Sequence, residues 1–341
     1  MDVLRAGKRT ISLNLKKQKS IEVMKKLCRN ADVLIEPYRP GVMEKLGLGP
    51  TELLKENPKL IYARLTGFGG DGRGLYANRA GHDINYIAVS GLLSMFGRKG
   101  EKPVAPVNLA ADFAGGGLMC AFGICVALLE RHRSGMGQVV DCAMVEGAAY
   151  VGSWLFRSRE LPVWGEKRGE NFLDGGNHSY DTYETKDGKF MSVGALEPQF
   201  YDALLKGLQL DPEDVQQLCD IEKNRELFTK VFKEKTQREW CKIFDTVDAC
   251  VFPVLDWDEA PNHEHNKARN VFLDSSKSNG FVVPNPAPKL SRTPGVSSAQ
   301  SDEKDSVAMA LEVLAEIGLS RDEIKELYEN EILLLGEKAK L

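Results

Sequence analysis

The chain has 341 residues, of which 43% are hydrophobic and 28% charged, and its formal net charge is −4. This length accommodates two domains with apolar cores, and the slightly acidic balance does not favour nucleic acid as a partner. Its seven cysteines include no Cys-x-x-Cys pair, and His263-Glu264-His265 lacks a third ligand in view. We therefore predict no nucleic-acid partner and no bound metal.

The first part of the chain alternates short apolar segments with helical ones. The predicted strands cover residues 11–15, 31–35 and 60–65, and the predicted helical segments lie near 18–29 and 41–56. Such alternation is typical of a parallel sheet covered by helices. We predict an α/β fold whose large domain is Rossmann-like, entered without a preceding strand and helix.

Further helices are predicted near 83–94, 113–133 and 144–159, with a strand at 138–143. The uncharged run 113–129 contains three consecutive glycines and falls short of the ~20 residues of a comfortable membrane span. We predict that it forms a buried helix and that the chain has no membrane span.

A polar, glycine-rich segment at 168–177 indicates a domain boundary. Beyond it, Asp187-Gly188 separates two strand-like segments and predicts a hairpin. Helices should follow over 198–244, then a strand at 249–254, a proline-rich linker at 283–294 and two helices, the second with a capping box of Ser320 and Glu323. The predicted division is a large domain at 1–175, a small domain at 176–285, and a segment at 286–341 that returns to the large domain.

Residues 67–72 match G-x-G-x-x-G, a dinucleotide-binding pattern. The match lacks a helix starting at Gly72, so we favour a flexible active-site loop over an NAD-linked dehydrogenase.

Two acid-base groups lie at predicted helix starts, His82 and Asp112. Either could simply cap its helix, since aspartate is a favoured N-cap. However, Gly115, Gly116 and Gly117 follow Asp112, and glycine in a helix is tolerated where a ligand or another backbone must come close. Because helix starts favour negative charge, the pair predicts proton transfer through an anion.

The segments that combine these residues are 81–86, 108–113, 115–117, 171–176 and 194–201. Together they resemble the α-methylacyl-CoA racemase family, which has the family III CoA-transferase fold. The resemblance covers essentially the whole chain. It implies an interlocked homodimer with a Rossmann-like large domain and a smaller α+β domain.

The resemblance also implies an activity, the interconversion of (2R)- and (2S)-2-methylacyl-CoA thioesters of branched fatty acids and bile-acid intermediates. His82 and Asp112 match the two bases, serving the S and R epimers respectively, and Glu197 matches a carboxylate that supports the histidine. Removing the α-proton of a thioester leaves an enolate, which needs fixed hydrogen-bond donors.

CoA is part of such a substrate, and no separate cofactor is implied. The resemblance places the adenosine turn at Leu13, Asn14, Leu15 and Lys16, the phosphate partners at Arg39 and Lys45, and contacts near the thioester at Gly81, Asp83, Ile84, Asn85 and Tyr86. Asn14 and Lys45 stand where aspartate and arginine are expected. The family normally begins with a further strand-helix-strand unit, so we expect an incomplete sheet and weak CoA binding or poor folding.

Ala339-Lys340-Leu341 resembles the peroxisomal signal Ser-Lys-Leu, which an import receptor reads. We expect a peroxisomal location, with mitochondria as a second one. Two rival functions stay open. One is a CoA transferase in which Asp112 is the nucleophile and forms an acyl anhydride, a reaction that does not need His82. The other is a catalytically inactive, truncated CoA-binding or dimerisation protein.

Overall fold

The computed structural model describes residues 7–274, 280, 282–298 and 306–334. The chain divides into two compact units. The terminal unit comprises Met1–Asp32, Met43–Leu60 and Leu255–Leu341, and the central unit comprises Val33–Val42 and Ile61–Val254. The domain division with boundaries at 175 and 285 stays a prediction.

The terminal unit is helical. Its helices are α1 (Gln18–Asn30), α3 (Pro50–Glu56), α11 (Glu264–Ala268), α12 (Ser306–Glu316) and α13 (Arg321–Glu329), and the short α2 (Val42–Lys45) lies mostly within it. The predicted capping box is confirmed: the Glu323 N–H donates to Ser320 Oγ (3.2 Å), and the Ser320 N–H donates to Glu323 Oε2 (2.7 Å). Apolar residues of α1, α12 and α13 share one core, which includes Val23 and Leu314.

The strand predicted at 11–15 is wrong, because only Leu13 makes a β-bridge, to Leu333. The Asn14 side chain accepts a hydrogen bond from the Lys16 N–H (3.2 Å), and the chain then turns into α1. The segment therefore ends before a ladder can form.

The central unit contains a three-stranded parallel sheet in the order β1-β2-β3. The strands are β1 (Val33–Glu36), β2 (Ile61–Thr66) and β3 (Gln138–Ala143), with Ala63 opposite both Ile35 and Val140. The central strand is almost wholly buried, as expected of a strand covered on both faces. The helical elements that follow are α4 (Asp83–Val89), a π-helix (Leu109–Leu118), α5 (Met119–Ser134), α6 (Met144–Val151) and α7 (Ser153–Ser158), with 3₁₀ turns at Leu92–Met95 and Pro162–Trp164.

The same unit contains an antiparallel sheet of β4 (Tyr180–Glu184), β5 (Phe190–Gly194) and β6 (Val251–Val254), in that order. The predicted hairpin around Asp187-Gly188 is confirmed. One face packs against α8 (Pro198–Leu208), α9 (Ile221–Phe232) and α10 (Gln237–Phe244). Aromatic rings fill this core: Phe232 stacks on Tyr183 at 5.0 Å and contacts Trp240 at 5.1 Å between ring centroids.

The prediction that the run 113–129 forms a buried helix is wrong for the single chain. The π-helix and α5 form one continuous helix, Leu109–Ser134. Only 22% of its most apolar 18-residue stretch is buried. In the part of the chain that is described, this helix is long and apolar enough, by length and composition only, to cross a membrane. One side packs on β2 and β3, while Leu118, Phe122 and Leu129 on other sides are 60–66% exposed.

Candidate active site

His82 is the residue that precedes α4. Its backbone is extended, and the side-chain oxygen of Asn85 accepts a hydrogen bond from the His82 N–H (3.1 Å). The His82 carbonyl accepts the first helical bonds, from the N–H groups of Asn85 (2.8 Å) and Tyr86 (3.2 Å). The imidazole is exposed, so α4 holds an accessible base at its N-terminus.

Asp112 was predicted to precede its helix. It lies instead in the first turn of the π-helix, which begins at Leu109. The side-chain amide of Asn108, the residue before the helix, donates to Asp112 Oδ2 at 3.4 Å. Segments with π-helical hydrogen bonding are rare in proteins, and those that occur are often found at functional sites. The carboxylate is partly exposed.

Asp83 connects these two helix starts. Its carboxylate is 2% exposed, and Oδ2 accepts hydrogen bonds from the N–H groups of Ala111 (2.6 Å) and Asp112 (2.9 Å). These two N–H groups are therefore engaged by a carboxylate of the chain itself. In the first turn of α4 the N–H groups of Asn85 and Tyr86 are also engaged, by the His82 carbonyl, and those of Asp83 and Ile84 precede the first intrahelical bond.

Tyr86 lies in α4, about one turn after His82. Its hydroxyl donates to the Gly81 carbonyl at 2.6 Å, and its ring contacts Phe68 edge-on at 5.1 Å. Burial and, second, the nearby Asp112 charge raise the pKa of the Tyr86 phenol. The phenol is thus a neutral hydrogen-bonding group close to the aspartate.

The glycines after Asp112 allow two helices to pack backbone to backbone. A Cβ atom on Gly115 would lie 2.4 Å from the Ala148 nitrogen, and one on Gly147 would lie 1.8 Å from the Gly115 oxygen. In contrast, a Cβ on Gly117 would meet only the Asp112 oxygen, at 3.6 Å. Close approach of another backbone, one of the two expected reasons for these glycines, therefore explains Gly115.

The loop 67–72 does not begin a helix at Gly72. It is anchored by side chains at the ends of β2 and β3: Gly69 and Gly70 donate to Thr66 Oγ1 (3.0 Å) and Asp141 Oδ1 (2.9 Å), and Arg64 donates to the Gly70 carbonyl (2.6 Å). The strand-turn-helix context of a dinucleotide motif is absent from these described residues.

Glu197 is exposed and precedes α8 in the same unit. Burial, Asp248 and then Glu197 raise the pKa of the Cys250 thiol, which places this carboxylate near β6. Within the described residues no hydrogen bond joins Glu197 to His82. Its supporting role stays a prediction.

The residues predicted to contact CoA are distributed over both units. Residues 13–16 and Lys45 belong to the terminal unit, and Arg39 and residues 81–86 to the central unit. Arg39 and Lys45 are exposed, with no ion pair in the part of the chain described. Their roles stay predictions, as does the absence of a bound metal; no cluster of three or more His, Cys, Asp or Glu occurs among the described side chains.

The comparisons with known proteins agree with this arrangement. The sequence model of "CoA-transferase family III" matches residues 1–301. The chain belongs to the family III CoA-transferases. It is 51% identical to the alpha-methylacyl-CoA racemase of Mus musculus over 97% of this chain and 86% of that protein. The corresponding Homo sapiens racemase is also 51% identical, over 96% and 85%.

A solved family III fold supports the architecture. A CAIB/BAIF family protein from Brucella suis superposes with a TM-score of 0.75 over 92% of this chain and 82% of its own, at 22% identity. At this identity the likeness shows the fold alone. It agrees with the predicted α/β class.

Sequence reasoning did not predict that the Asp83 side chain bonds the start of the second helix. An acidic residue in the first turn of a helix was visible, but it has an ordinary explanation in the helix dipole. Its partners lie 28 and 29 residues further along the chain, and only the fold brings them into contact.

Proposed function

We propose that this chain interconverts the (2R) and (2S) epimers of 2-methylacyl-CoA thioesters by moving one proton at the α-carbon. The observation that supports the proposal is the pair of hydrogen bonds by which Asp83, the residue after His82, accepts from the N–H groups of Ala111 and Asp112. Two relatives that are 51% identical over nearly the whole chain are named for this activity.

In one direction the neutral imidazole of His82 removes the α-proton. The electrons of the C–H bond then move onto the thioester oxygen and form an enolate. Protonated Asp112 returns a proton to the other face of the α-carbon, and the reverse reaction exchanges these roles. The N–H groups of Asp83 and Ile84, which precede the first intrahelical bond of α4, would donate to the enolate oxygen. CoA enters as part of the substrate, so we propose no separate cofactor.

The test is α-proton exchange in D2O with a 2-methylacyl-CoA and no acceptor acid. Wild type should incorporate deuterium and produce both epimers. His82→Ala and Asp112→Asn should each slow exchange by about 10²- to 10⁴-fold, the usual contribution of a general acid or base. Asp187→Asn, in the β4–β5 hairpin, is the control and should exchange like wild type. Absence of exchange in wild type contradicts the proposal.

The second candidate is a CoA transferase, favoured by the name of the family model. Asp112 would then attack the thioester carbonyl, release CoA thiolate and form an acyl anhydride, and His82→Ala would have little effect. Incubation with an acyl-CoA and hydroxylamine would trap the acyl group and release CoA. Trapping that survives His82→Ala, without α-proton exchange, would favour the transferase.

We propose that a second copy of the chain covers the exposed side of the helix Leu109–Ser134, as the predicted homodimer requires. Phe122 is 60% exposed and Leu129 61%, and exposed apolar patches of this kind mark interaction sites. Phe122→Asp with Leu129→Asp should give a monomer in sedimentation analysis. Leu218→Asp, at a 73% exposed apolar site elsewhere, should leave the mass unchanged. A wild-type monomer, or an unchanged mass in the double variant, contradicts this.

The acyl chain and location remain proposals that rest on the resemblance. We propose branched fatty acyl-CoA and bile-acid intermediates as substrates, and a peroxisomal location with mitochondria as a second one. The C-terminal tripeptide that supports import, Ala339–Leu341, lies outside the described residues. A tagged chain should lose its peroxisomal location when this tripeptide is removed; unchanged location would contradict recognition by the import receptor.

A further inference from the structure

Asp83 has an unusual environment for a carboxylate. It is 2% exposed, and Oδ2 accepts two hydrogen bonds, from the N–H groups of Ala111 and Asp112. The second oxygen, Oδ1, is buried and has no hydrogen-bond partner among the described residues. A carboxylate buried with half of its acceptors unused is costly, so its retention needs a reason.

Two helix N-termini meet at this carboxylate. Asp83 occupies the first turn of α4, and the N–H groups it accepts belong to the first turn of the π-helix. Both helix dipoles favour a negative charge at these positions. Part of the burial cost is therefore offset, and the charge holds both helix starts together.

The two residues in the proposed proton relay flank this link. His82 is the immediate chain neighbour of Asp83, and Asp112 is itself the donor of one of the two hydrogen bonds. A shift of the π-helix start would move the Asp112 carboxylate relative to the imidazole. A hydrogen bond from its backbone restrains that movement without using its side chain.

Apolar residues of α4 and the π-helix pack in one buried cluster, whereas the other hydrogen bonds at the site are local. Tyr86 bonds Gly81 within its own segment, and Asn108 bonds Asp112 within the π-helical segment at 3.4 Å. Each of these bonds fixes one side of the site locally. Among the hydrogen bonds of the described residues, those of Asp83 connect the two sides.

We infer that Asp83 is a positioning residue, which fixes the separation of His82 and Asp112 by bonding the backbone of the π-helix. This inference rests on the proposed function. It differs from the contact with the CoA arm that the resemblance implies for Asp83, because a positioning residue acts on turnover rather than on substrate affinity. The buried carboxylate faces the protein backbone and not solvent.

Two substitutions separate geometry from charge. Asp83→Ala removes both hydrogen bonds. Asp83→Asn can keep both, because one amide oxygen can occupy the Oδ2 position while the NH2 group replaces the unpartnered Oδ1. Asp187→Ala is the matched control for general loss of stability, since that carboxylate accepts from the Gln237 N–H (3.0 Å) and the Thr185 hydroxyl (2.5 Å) in the hairpin region.

The expected result is a split between kcat and KM. In Asp83→Ala, kcat for epimerisation should fall about 100-fold, the cost of misplacing a reacting group by about 1 Å, while KM changes less than about threefold. The kcat of Asp83→Asn should be at least about tenfold higher than that of Asp83→Ala. Asp187→Ala should keep the wild-type kcat even if its melting temperature falls as much as that of Asp83→Ala.

Amide hydrogen exchange gives a second readout that does not need turnover. The Ala111 and Asp112 amides should exchange faster in Asp83→Ala than in wild type, and Asp83→Asn should restore their protection. If Asp83→Ala fails to fold, Asp83→Asn still tests the inference, because it should fold, protect both amides and keep at least about a tenth of the wild-type kcat.

Three results would overturn the inference while leaving the proposed function intact: kcat of Asp83→Ala within threefold of wild type, equal losses in the alanine and asparagine variants, or a raised KM with unchanged kcat. The last would indicate a CoA contact. Absence of α-proton exchange in wild type is a different result. It overturns the proposed function and, with it, any role of Asp83 in positioning a proton relay.

Discussion

The close contact between the π-helix and α6 gives a sharp test of how the Asp112 segment is held. In Gly147→Ala the new Cβ atom would lie 1.8 Å from the Gly115 oxygen. Ordinary contact begins near 3.4 Å, so one helix must move by about 1.5 Å. The obstacle is backbone on both sides, and rotation of a side chain cannot relieve it.

Overpacking of a well-packed core costs about 1–3 kcal/mol, and occasionally more. The melting temperature should fall by about 2–4 °C per kcal/mol, the scale for domains of 150–250 residues. Because the displaced helix carries Asp112, kcat for α-proton exchange should also fall, by about 10- to 100-fold.

The assay is thermal unfolding followed by circular dichroism, together with deuterium incorporation into a 2-methylacyl-CoA. The control is Gly117→Ala in the same π-helix, whose Cβ would be 3.6 Å from its nearest neighbour. The control should be neutral or gain up to about 1 kcal/mol, since alanine is the better helix former. A Gly147→Ala protein with wild-type melting and wild-type kcat would refute the reasoning.

Three further predictions follow from buried polar groups in the central unit. Arg64→Met should destabilise the unit by about 3–5 kcal/mol in urea unfolding, because it leaves the buried Glu36 carboxylate, 3.6 Å from Arg64 Nε, without this cation. His178 is fully buried, and burial lowers the pKa of its imidazole to about 4. The stability that the neutral imidazole contributes is present above pH 6.5 and should be lost, by about 3 kcal/mol, as pH falls towards 4. His178→Gln should not show this loss. Tyr86→Phe should cost about 0.5–1.5 kcal/mol through loss of the 2.6 Å bond to Gly81, measured by urea unfolding.

Exposed residues of the same types supply the controls. Arg73→Met and His132→Gln should change the free energy of unfolding by less than about 0.5 kcal/mol, as surface substitutions usually do. An Arg64→Met loss no larger than that of Arg73→Met would contradict the buried-pair argument. Equal pH slopes for wild type and His178→Gln would contradict burial of a neutral imidazole, and an unchanged stability of Tyr86→Phe would contradict the value assigned to its hydrogen bond.

Local signals predicted local structure well. The Asp187-Gly188 turn places two residues with suitable turn chemistry between strand-like segments, and the hairpin forms there. The capping box at Ser320 is likewise set by residues within a few positions of one another, so the interactions that decide it lie inside the segment itself. The strand at 138–143 was visible from its apolar pattern, although its ladder partner is β2.

Sequence patterns gave wrong predictions where contacts with distant residues or with a second molecule decide the structure. The segment at 11–15 has strand composition, yet among the described residues it makes a single bridge, to Leu333, and no ladder. The helix that carries Asp112 begins at Leu109 rather than after the aspartate, because Asp83 accepts hydrogen bonds from its first turn. Composition also predicted a buried helix at 113–129. Apolar composition does not tell whether the chain itself or a second molecule covers the helix.

The sequence by itself determined the α/β class, most helices and strands, the family resemblance and the two acid-base residues, since these depend on local pattern and on residue identity. Only the tertiary structure decided that the Asp83 carboxylate is buried and accepts hydrogen bonds from N–H groups 28 and 29 residues away, at the start of the helix that carries Asp112. It also decided that Gly115 serves backbone packing against α6. The physical reason is that hydrogen bonds and close packing depend on distances in space, and those distances exist only once the elements have packed.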